Sequence, residues 1–224
     1  MCEVLVGGHV PASLLDWPGK VCATLFTAGC NLRCPFCHNP ELVPVRTSGE
    51  GPSGFLEMLH DRRLFLDGVC VSGGEPCMQR GIGELLGRIK SMGLLVKLDT
   101  NGTYPEVLRD LLEQGLVDMV AMDIKAHWDL YPLLTGGLDV ASMVRRSLEI
   151  IRSSGVDYEL RTTWVPALMS VDHLRSIRFM LNDDEHWVVQ PFRPGRCLKP
   201  ELDETAAASP DEIMDALGGV RVRG

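Results

Sequence analysis

The sequence predicts an α/β fold in the form of an incomplete, open-sided (β/α)6 barrel of parallel strands. Two observations predict this fold: short apolar runs rich in β-branched residues recur along the 224-residue chain, and segments with helical periodicity separate them. Gly, Pro, Asn or Asp closes each run, as is typical of alternating strands and helices. Repeated strand–helix–strand units give a parallel sheet with right-handed crossovers, and the helices cover its outer face.

Apolar runs predict six strands, at positions 21–27, 68–72, 94–99, 119–124, 158–165 and 187–190. Periodic stretches predict helices at 54–65, 79–92, 105–115, 139–154 and 171–182, with a short further helix at 210–217. Pro105 and Asp172 suit helix starts, and Gly93, Gly115 and Gly155 suit helix ends. Six units are fewer than the eight of a complete barrel, so one side should be open. Functional groups should lie at the C-terminal ends of the strands.

Length and composition predict one domain over residues 1–224, with a core at about 18–195, a Gly/Pro/Ser loop at 44–54 and a tail after Pro194. The start lacks the pattern of a signal peptide, and no apolar stretch is long enough to cross a bilayer. We therefore expect a cytoplasmic protein without a membrane partner. The net charge of −8 disfavours a nucleic-acid partner, because phosphate binding needs a basic face.

Three of the eight cysteines, Cys30, Cys34 and Cys37, are clustered directly after the first predicted strand. In a cytosolic chain of this length, clustered thiols are more often metal ligands or reactive groups than disulfide partners. Thiolates favour zinc or an iron–sulfur cluster, and a cubane cluster usually takes four cysteines. Three cysteines therefore predict either a cluster with one iron open to a further ligand, or a structural zinc site completed by His38.

Two motifs at successive strand ends carry a family resemblance. Cys30-x3-Cys34-x2-Cys37, with Phe36 before the third cysteine, is followed after the second strand by Ser72-Gly73-Gly74-Glu75-Pro76. Together they resemble the signature of radical S-adenosylmethionine (radical SAM) enzymes. The resemblance implies one 4Fe–4S cluster on the three cysteines, with S-adenosylmethionine at the open iron. It also implies that Gly73, Gly74 and Glu75 meet the methionine moiety, where the glycines let backbone approach a ligand closely.

Further sequence blocks narrow the resemblance to glycyl-radical-enzyme activating proteins. The branch that the chain resembles most is the anaerobic ribonucleoside-triphosphate reductase activating protein, and pyruvate formate-lyase activating enzyme is a more distant relative. The blocks are Asp16-Trp17-Pro18-Gly19-Lys20, Cys37-His38-Asn39-Pro40-Glu41-Leu42, Leu98-Asp99-Thr100-Asn101-Gly102, Ala121-Met122-Asp123-Ile124-Lys125 and Arg161-Thr162-Thr163-Trp164-Val165-Pro166.

Asp99 and Asp123 end the third and fourth predicted strands. An isolated aspartate there would usually cap a helix or form a turn. Two carboxylates with nearby carbonyls, however, suit a hard cation. The resemblance to pyruvate formate-lyase activating enzyme implies a monovalent cation near S-adenosylmethionine, with Thr100 and Ala121 contributing carbonyls.

The resemblance also implies the remaining cofactor contacts. Phe36, Cys37 and His38 would line the adenine pocket. Lys125 would by default be a surface lysine, but its position two residues after Asp123 directs it to the same rim, toward a carboxylate-bearing ligand. Arg161 is either a buried structural arginine or a partner for that carboxylate. The expected cofactor-binding residues are Phe36, Cys37, His38, Gly73, Gly74, Glu75, Asp99, Asp123, Ile124, Lys125 and Arg161.

The chain departs from the pattern in two places. Pro191-Phe192-Arg193 stands where the pyruvate formate-lyase branch carries a histidine against S-adenosylmethionine, so it is open whether Arg193 takes that role. Cys77 stands where an aliphatic residue is commoner. We expect the cysteines outside the cluster to be packing residues, since a buried thiol behaves as a small hydrophobe; they are Cys2, Cys22, Cys70, Cys77 and Cys197.

The implied activity is reductive cleavage of S-adenosylmethionine, followed by hydrogen removal from a glycine of a glycyl radical enzyme. Anaerobic ribonucleoside-triphosphate reductase is the first partner expected, with a flavodoxin or ferredoxin-type protein as electron donor. Two alternatives stay open. One is a radical enzyme acting on a small molecule, as in the deazaguanine-forming branch, and the other is a zinc-binding interaction module.

Overall fold

A computed structural model describes residues 4–46 and 48–223 of the chain. Its centre is one sheet of eight strands in sequence order, in which the second to eighth strands are parallel and the first is antiparallel to the second. The strands are β1 Val6–Ser13, β2 Cys22–Thr27, β3 Gly68–Gly73, β4 Leu95–Thr100, β5 Met119–Asp123, β6 Asp157–Trp164, β7 Trp187–Pro191 and β8 Arg221–Val222.

Helices connect the parallel strands and cover the sheet. They are α1 Ser53–Arg62, α2 Ile82–Ser91, α3 Pro105–Glu113, α4 Tyr131–Leu134, α5 Ala141–Ser154, α6 Val171–Met180 and α7 Pro210–Leu217. Their apolar residues recur every three or four positions and face the sheet, as Ile82, Leu85 and Ile89 of α2 do. The predicted α/β class and all the predicted strands and helices are confirmed, with ends moved by a few residues. The single-domain boundaries stay a prediction.

The prediction of six strands was incomplete, because the sheet has an additional strand at each edge. β1 contains Gly7, Gly8 and Pro11, and it pairs with β2 through two register irregularities. Glycine and proline weaken the strand signal in a sequence, yet an edge strand tolerates them because one side needs no partner. β8 has two residues, which is too short for an alternating pattern.

The sheet is not closed, which agrees with the predicted open side. Within the described residues, β1 and β8 are the two edges of the sheet and do not pair with each other. The carboxyl ends of the parallel strands lie at one rim, so the loops that follow them converge there. No helix among the described residues is long and apolar enough to cross a membrane.

An ion pair joins Arg223, the residue after β8, to Glu159 on β6. The side chain of Glu159 on β6 is fully buried, and its two carboxylate oxygens accept hydrogen bonds of 2.9 Å from the two terminal nitrogens of Arg223. A bidentate pair of this kind is stronger than a single contact. Arg223 therefore neutralises a buried charge that would otherwise be costly.

We predict that Arg223→Met lowers the free energy of unfolding by about 2 kcal/mol, because the Glu159 carboxylate loses its partner while it stays buried. Urea denaturation followed by circular dichroism measures the change. The matched control is Arg221→Met, which alters an exposed arginine two positions earlier and should change stability by less than about 0.5 kcal/mol. Equal losses in both variants would contradict the role of the pair.

Candidate active site

A cavity of about 260 Å³ opens at the rim where the parallel strands end. It brings together twelve residues that the sequence singled out and six that it did not assign. The predicted ones are Cys30, Cys34, Phe36, Cys37, His38, Gly73, Gly74, Asp99, Thr100, Asp123, Lys125 and Arg161, and the others are Leu32, Asn39, Ser72, Asn101, Thr163 and Gln190. Residues from the ends of six strands, β2 to β7, thus meet at one site, although their binding roles stay predictions.

Three predicted contact residues do not line the cavity. Ala121 and Ile124 are both fully buried. Ile124 follows Asp123 directly and so faces away from it, whereas Ala121 stands two positions before Asp123 on the same face of the strand. Glu75 is also fully buried, and its carboxylate accepts hydrogen bonds from the Cys77 and Asn101 backbone N–H groups and the Thr100 hydroxyl, at 2.7–2.9 Å. Glu75 therefore joins the β3 and β4 loops, and its carboxylate is engaged with protein partners instead of lining the cavity.

The cysteine loop follows β2 and is held from several sides. The Arg33 guanidinium donates to the Cys30 and Leu32 carbonyls at 2.7 and 2.9 Å. The Asn31 side chain donates to the Thr103 hydroxyl at 2.9 Å and accepts from the Asn101 amide at 3.1 Å. The Arg33 bonds lie within the loop, and the Asn31 bonds connect it to the residues that follow β4.

The C-terminal tail also holds the cysteine loop, which the sequence did not indicate. The Leu198 backbone N–H donates to the Cys37 carbonyl at 3.1 Å, and the Lys199 N–H donates to the Pro35 carbonyl at 2.9 Å. A backbone-to-backbone contact leaves no residue-type signature. The tail is therefore part of the support of the site.

Of the three clustered thiols, Cys34 is buried and Cys30 and Cys37 are partly buried. Burial raises the pKa of Cys30, Cys34 and Cys37 above the ordinary value. The Lys125 ammonium acts in the opposite direction on all three thiols, and it lies 5.8 Å from the centre of the Phe36 ring. A cation beside the thiols favours their thiolate form, which is the form that binds metal.

The zinc alternative requires His38 as the fourth ligand of one ion. The His38 ring stacks on Phe192 with 5.7 Å between ring centres, and its Nε2 lies 2.8 Å from the Arg193 carbonyl oxygen, to which it donates. The described residues contain no group of three or more His, Cys, Asp or Glu side chains arranged to hold a single metal ion. Cysteines that each bind a different iron of a cluster do not need that arrangement.

The contacts of His38 with Phe192 and Arg193 also concern the end of β7, where Pro191-Phe192-Arg193 departs from the family pattern. Phe192 is fully buried, and Arg193 lines a neighbouring cavity, whereas neither of them lines the main one. His38, Thr163 and Gln190 line both cavities. Arg193 therefore contributes its carbonyl to the orientation of His38 and lines the neighbouring cavity.

Gly73 and Gly74 form a turn that packs backbone against backbone. Gly73 has φ +118, and a Cβ on Gly74 would lie 2.1 Å from the Gly29 carbonyl oxygen. The Gly74 N–H donates to the Thr27 carbonyl and the Glu75 N–H to the Gly29 carbonyl, both at 2.9 Å. Only glycine fits such an approach. The turn thereby joins the β3 end to the start of the cysteine loop.

Arg161 on β6 connects the two strand-end aspartates. It donates to Asp99 at 2.7 Å and to Asp123 at 3.1 and 3.2 Å. Lys97 pairs with the other Asp99 oxygen, and Lys125 pairs with the other Asp123 oxygen at 3.0 Å. Burial would raise the pKa of both carboxyls, but these cations hold each pKa below the ordinary value.

The arrangement is compatible with both roles that the sequence left open for Arg161. Its side chain is 16% exposed, lines the cavity and is held by Asp99 and Asp123. The contact with a ligand stays a prediction. The pKa of Arg161 lies above the ordinary value because the two aspartates outweigh the effect of burial.

Sequence reasoning missed Lys97, Asn101, Thr163 and Gln190 as site residues. A signal existed for two of them, since side chains two apart on a strand share a face. Lys97 stands two before Asp99, and Thr163 two after Arg161. A lysine inside the otherwise apolar run at 94–98 is unusual for a buried strand and marks a paired charge.

Comparisons with known proteins agree with this geometry. Residues 24–169 match the Radical SAM superfamily. The chain is 31% identical over 219 residues, 95% of its length and 90% of the relative's, to a Methanocaldococcus jannaschii protein named "Putative glycyl-radical enzyme activating enzyme". It is 30% identical over 184 residues to the pyruvate formate-lyase-activating enzyme of Clostridium pasteurianum, covering 75% of this chain and 71% of that protein.

Shorter and more distant matches complete the comparison. A 7-carboxy-7-deazaguanine synthase of Hyperthermus butylicus is 38% identical over 85 residues, covering 37% of this chain and 35% of that protein. Among solved structures, Streptococcus suis SuiB bound to S-adenosylmethionine superposes with a TM-score of 0.64 at 13% identity, over 87% of this chain and 48% of that one. That likeness is one of fold, and the chain spans about half the length of SuiB.

We predict that Gly74→Ala lowers the free energy of unfolding by about 3 kcal/mol, because the new methyl group forces the Gly29 backbone to move. Thermal melting measures the change. Gly54→Ala is the matched control, since a Cβ there meets nothing within 4 Å, and its stability should be unchanged or raised by up to about 1 kcal/mol. A Gly74→Ala protein as stable as the parent would show that the turn accommodates a methyl group and that glycine is not required there.

Proposed function

The chain belongs to the radical SAM superfamily, and from this membership we propose that it activates a glycyl radical enzyme. The proposed reaction uses one 4Fe–4S cluster and S-adenosylmethionine to remove a hydrogen atom from a glycine of a partner protein. The observation that carries the proposal is the similarity to the Methanocaldococcus jannaschii protein over 95% of this chain, because that match includes the strand-end loops as well as the core.

The donor set of the cavity fits such a cluster. Three thiols from one loop reach the cavity, and no fourth cysteine is among the described residues that line it. Thiolates are the usual ligands of iron–sulfur clusters, and binding releases their protons. We assign Cys30, Cys34 and Cys37 to three irons, which leaves the fourth iron for S-adenosylmethionine.

When bound, the cluster and S-adenosylmethionine supply one-electron cleavage of the sulfonium, giving methionine and a carbon radical that takes a hydrogen atom from a glycine Cα. The chain's own residues bind and orient these groups. Lys125 and Arg161 turn cationic heads to the cavity, where they suit the carboxylate of the methionine moiety. Gly73 and Gly74 line the same wall and allow backbone to approach the ligand closely.

Two aromatic side chains of the cavity suit the adenine ring. Phe36 is buried beside the thiols, and His38 is fixed by Phe192 and the Arg193 carbonyl. Aromatic side chains held in one orientation present a flat face on which a purine can stack without further ordering. We assign Phe36 and His38 to the nucleoside part of the site.

The partner's glycine has an approach from the β6–β7 side of the cavity. Thr163 and Gln190 are paired across these two strands, and they line both the main cavity and the neighbouring one. Their hydroxyl and amide groups suit the polar backbone of an extended peptide segment. The two cavities are thus adjacent along β6 and β7, and this additional space beside the site supports a macromolecular substrate.

The proposal also names a protein partner, an electron donor and a cellular location. The first partner to test is an anaerobic ribonucleoside-triphosphate reductase, because the motif blocks of the chain resemble that branch. The electron must come from outside the chain, and a flavodoxin or ferredoxin-type protein is the donor proposed. The proposed location is the cytoplasm, where such donors and reduced thiols occur.

The rival proposal is a radical enzyme acting on a small molecule. It is supported by the deazaguanine synthase match, which covers 37% of this chain. The activating-enzyme match is more than twice as long. The activating function is therefore preferred, and the experiment below separates the two.

We predict that Cys30→Ala, Cys34→Ala or Cys37→Ala each leaves a folded protein that holds no cluster and does not cleave S-adenosylmethionine. Iron content, visible absorption and 5′-deoxyadenosine formation after anaerobic reconstitution measure this. Cys22→Ala is the matched control, because Cys22 is a buried free thiol at the start of β2 and should keep the parent's values. Turnover at the parent rate in any of the three variants would refute the ligand assignment.

We predict a glycine-centred doublet in the electron paramagnetic resonance spectrum when enzyme, reductant, S-adenosylmethionine and the correct partner are mixed anaerobically. The doublet should disappear when the partner's radical glycine is replaced by alanine, because the abstracted hydrogen is then absent. If every candidate partner stays silent while a small metabolite accelerates cleavage and transfers deuterium into 5′-deoxyadenosine, the small-molecule function is correct.

A further inference from the structure

We propose that Lys97 is a built-in counter-ion for the Asp99–Asp123 pair, so that this chain needs no monovalent cation at the site. A bound cation there is what the resemblance to pyruvate formate-lyase activating enzyme implies. The positions of the aspartates agree with that expectation, but the side chains that surround them do not.

The first argument is that cationic side chains contact every oxygen of the two carboxylates. Asp99 pairs with Lys97 through Oδ1 and with Arg161 through Oδ2. Asp123 pairs with Arg161 through Oδ1 and with Lys125 through Oδ2. A metal ion binds such oxygens by replacing these nitrogens or by crowding beside them.

The second argument is the local charge balance. Lys97, Arg161 and Lys125 carry three positive charges against the two negative charges of Asp99 and Asp123. Glu159 is near Arg161, but its carboxylate is bound by Arg223 through both oxygens. Among these five side chains the positive charges outnumber the negative ones by one, so the two carboxylates are already neutralised without a further cation.

The third argument is the burial of Lys97. Its side chain is 1% exposed and does not line the cavity, so its ammonium group lies beneath the aspartates. Besides Asp99, it is within 3.8 Å of the Cys70 sulfur. A lysine this buried is retained only with a charged partner. Lys97 is thus a positioning residue that acts on a ligand through Asp99 and Arg161.

The test compares salts in which only the small cation differs. Melting of the cluster-free protein and S-adenosylmethionine binding to the anaerobically reconstituted protein are measured in tetramethylammonium, sodium or potassium chloride at one ionic strength. The parent is expected to show the same melting temperature and the same affinity in all three salts. A saturable rise of either quantity with sodium or potassium would overturn the proposal.

The decisive variant is Lys97→Met, which keeps most of the side-chain volume and removes the charge. In tetramethylammonium it should melt lower and bind S-adenosylmethionine more weakly, by between about fivefold and about 100-fold, and sodium or potassium should restore both. A purely structural lysine would give a loss that no small cation restores. Such a cation-insensitive loss, or no loss at all, contradicts the counter-ion role.

Two further variants keep the proposal testable if Lys97→Met does not fold. Lys97→Arg keeps the charge, and Lys97→Met combined with Asp99→Asn removes one positive and one negative charge, so both should be insensitive to the choice of cation. Sensitivity in either would contradict the proposal. The matched control is Lys90→Met, which breaks a lysine–aspartate pair with Asp118 that is 28% exposed on both sides and should add no cation dependence.

The affinity readout rests on the proposed function, whereas the melting readout does not. A protein that never binds S-adenosylmethionine would refute the proposed function, and the melting curves of the cluster-free proteins would still decide the role of Lys97. The two failures are therefore distinguishable.

Discussion

The interaction on which the site depends is the bridge that Arg161 makes between Asp99 and Asp123. These residues come from three adjacent strands, β6, β4 and β5, and their contacts of 2.7–3.2 Å join the strands at their carboxyl ends. Charges inside a sheet are costly unless they are paired, so loss of Asp99 would leave Lys97 without its carboxylate partner, and loss of Asp123 would do the same to Lys125. The pairing therefore holds the strand ends in one register and keeps cationic nitrogen atoms facing the cavity.

Backbone and side-chain hydrogen bonds then hold the loops of the site against these three strands. The Gly73–Gly74 turn packs against Gly29, and Glu75 joins the β3 and β4 loops from below. The cysteine loop is bonded to the end of β4 on one side and to the tail at Leu198 on the other. A loop held in this way loses little further conformational freedom when it takes up a ligand, which favours tight and specific binding.

The sequence by itself determined the fold class, the order of the central strands and helices, and the residues that gather at the rim. It could do so because strand and helix periodicities are local, and because parallel strands place their carboxyl ends on one side. The cysteine spacing and the Gly73–Gly74 pair were sufficient to name the family. Strand β1 and the two-residue β8 escaped detection because edge pairing depends on a neighbour and leaves little pattern in the strand itself.

Only the tertiary structure decided what each side chain does at the rim. Glu75 is fully buried and bonded to protein groups, and Lys97 neutralises Asp99, although the family resemblance implied a ligand contact for the first and the sequence left the second out. The physical reason is that a charge binds whatever opposite charge folding brings within a few ångströms. Those partners lie on other strands or in the tail, at separations along the chain that no local pattern records.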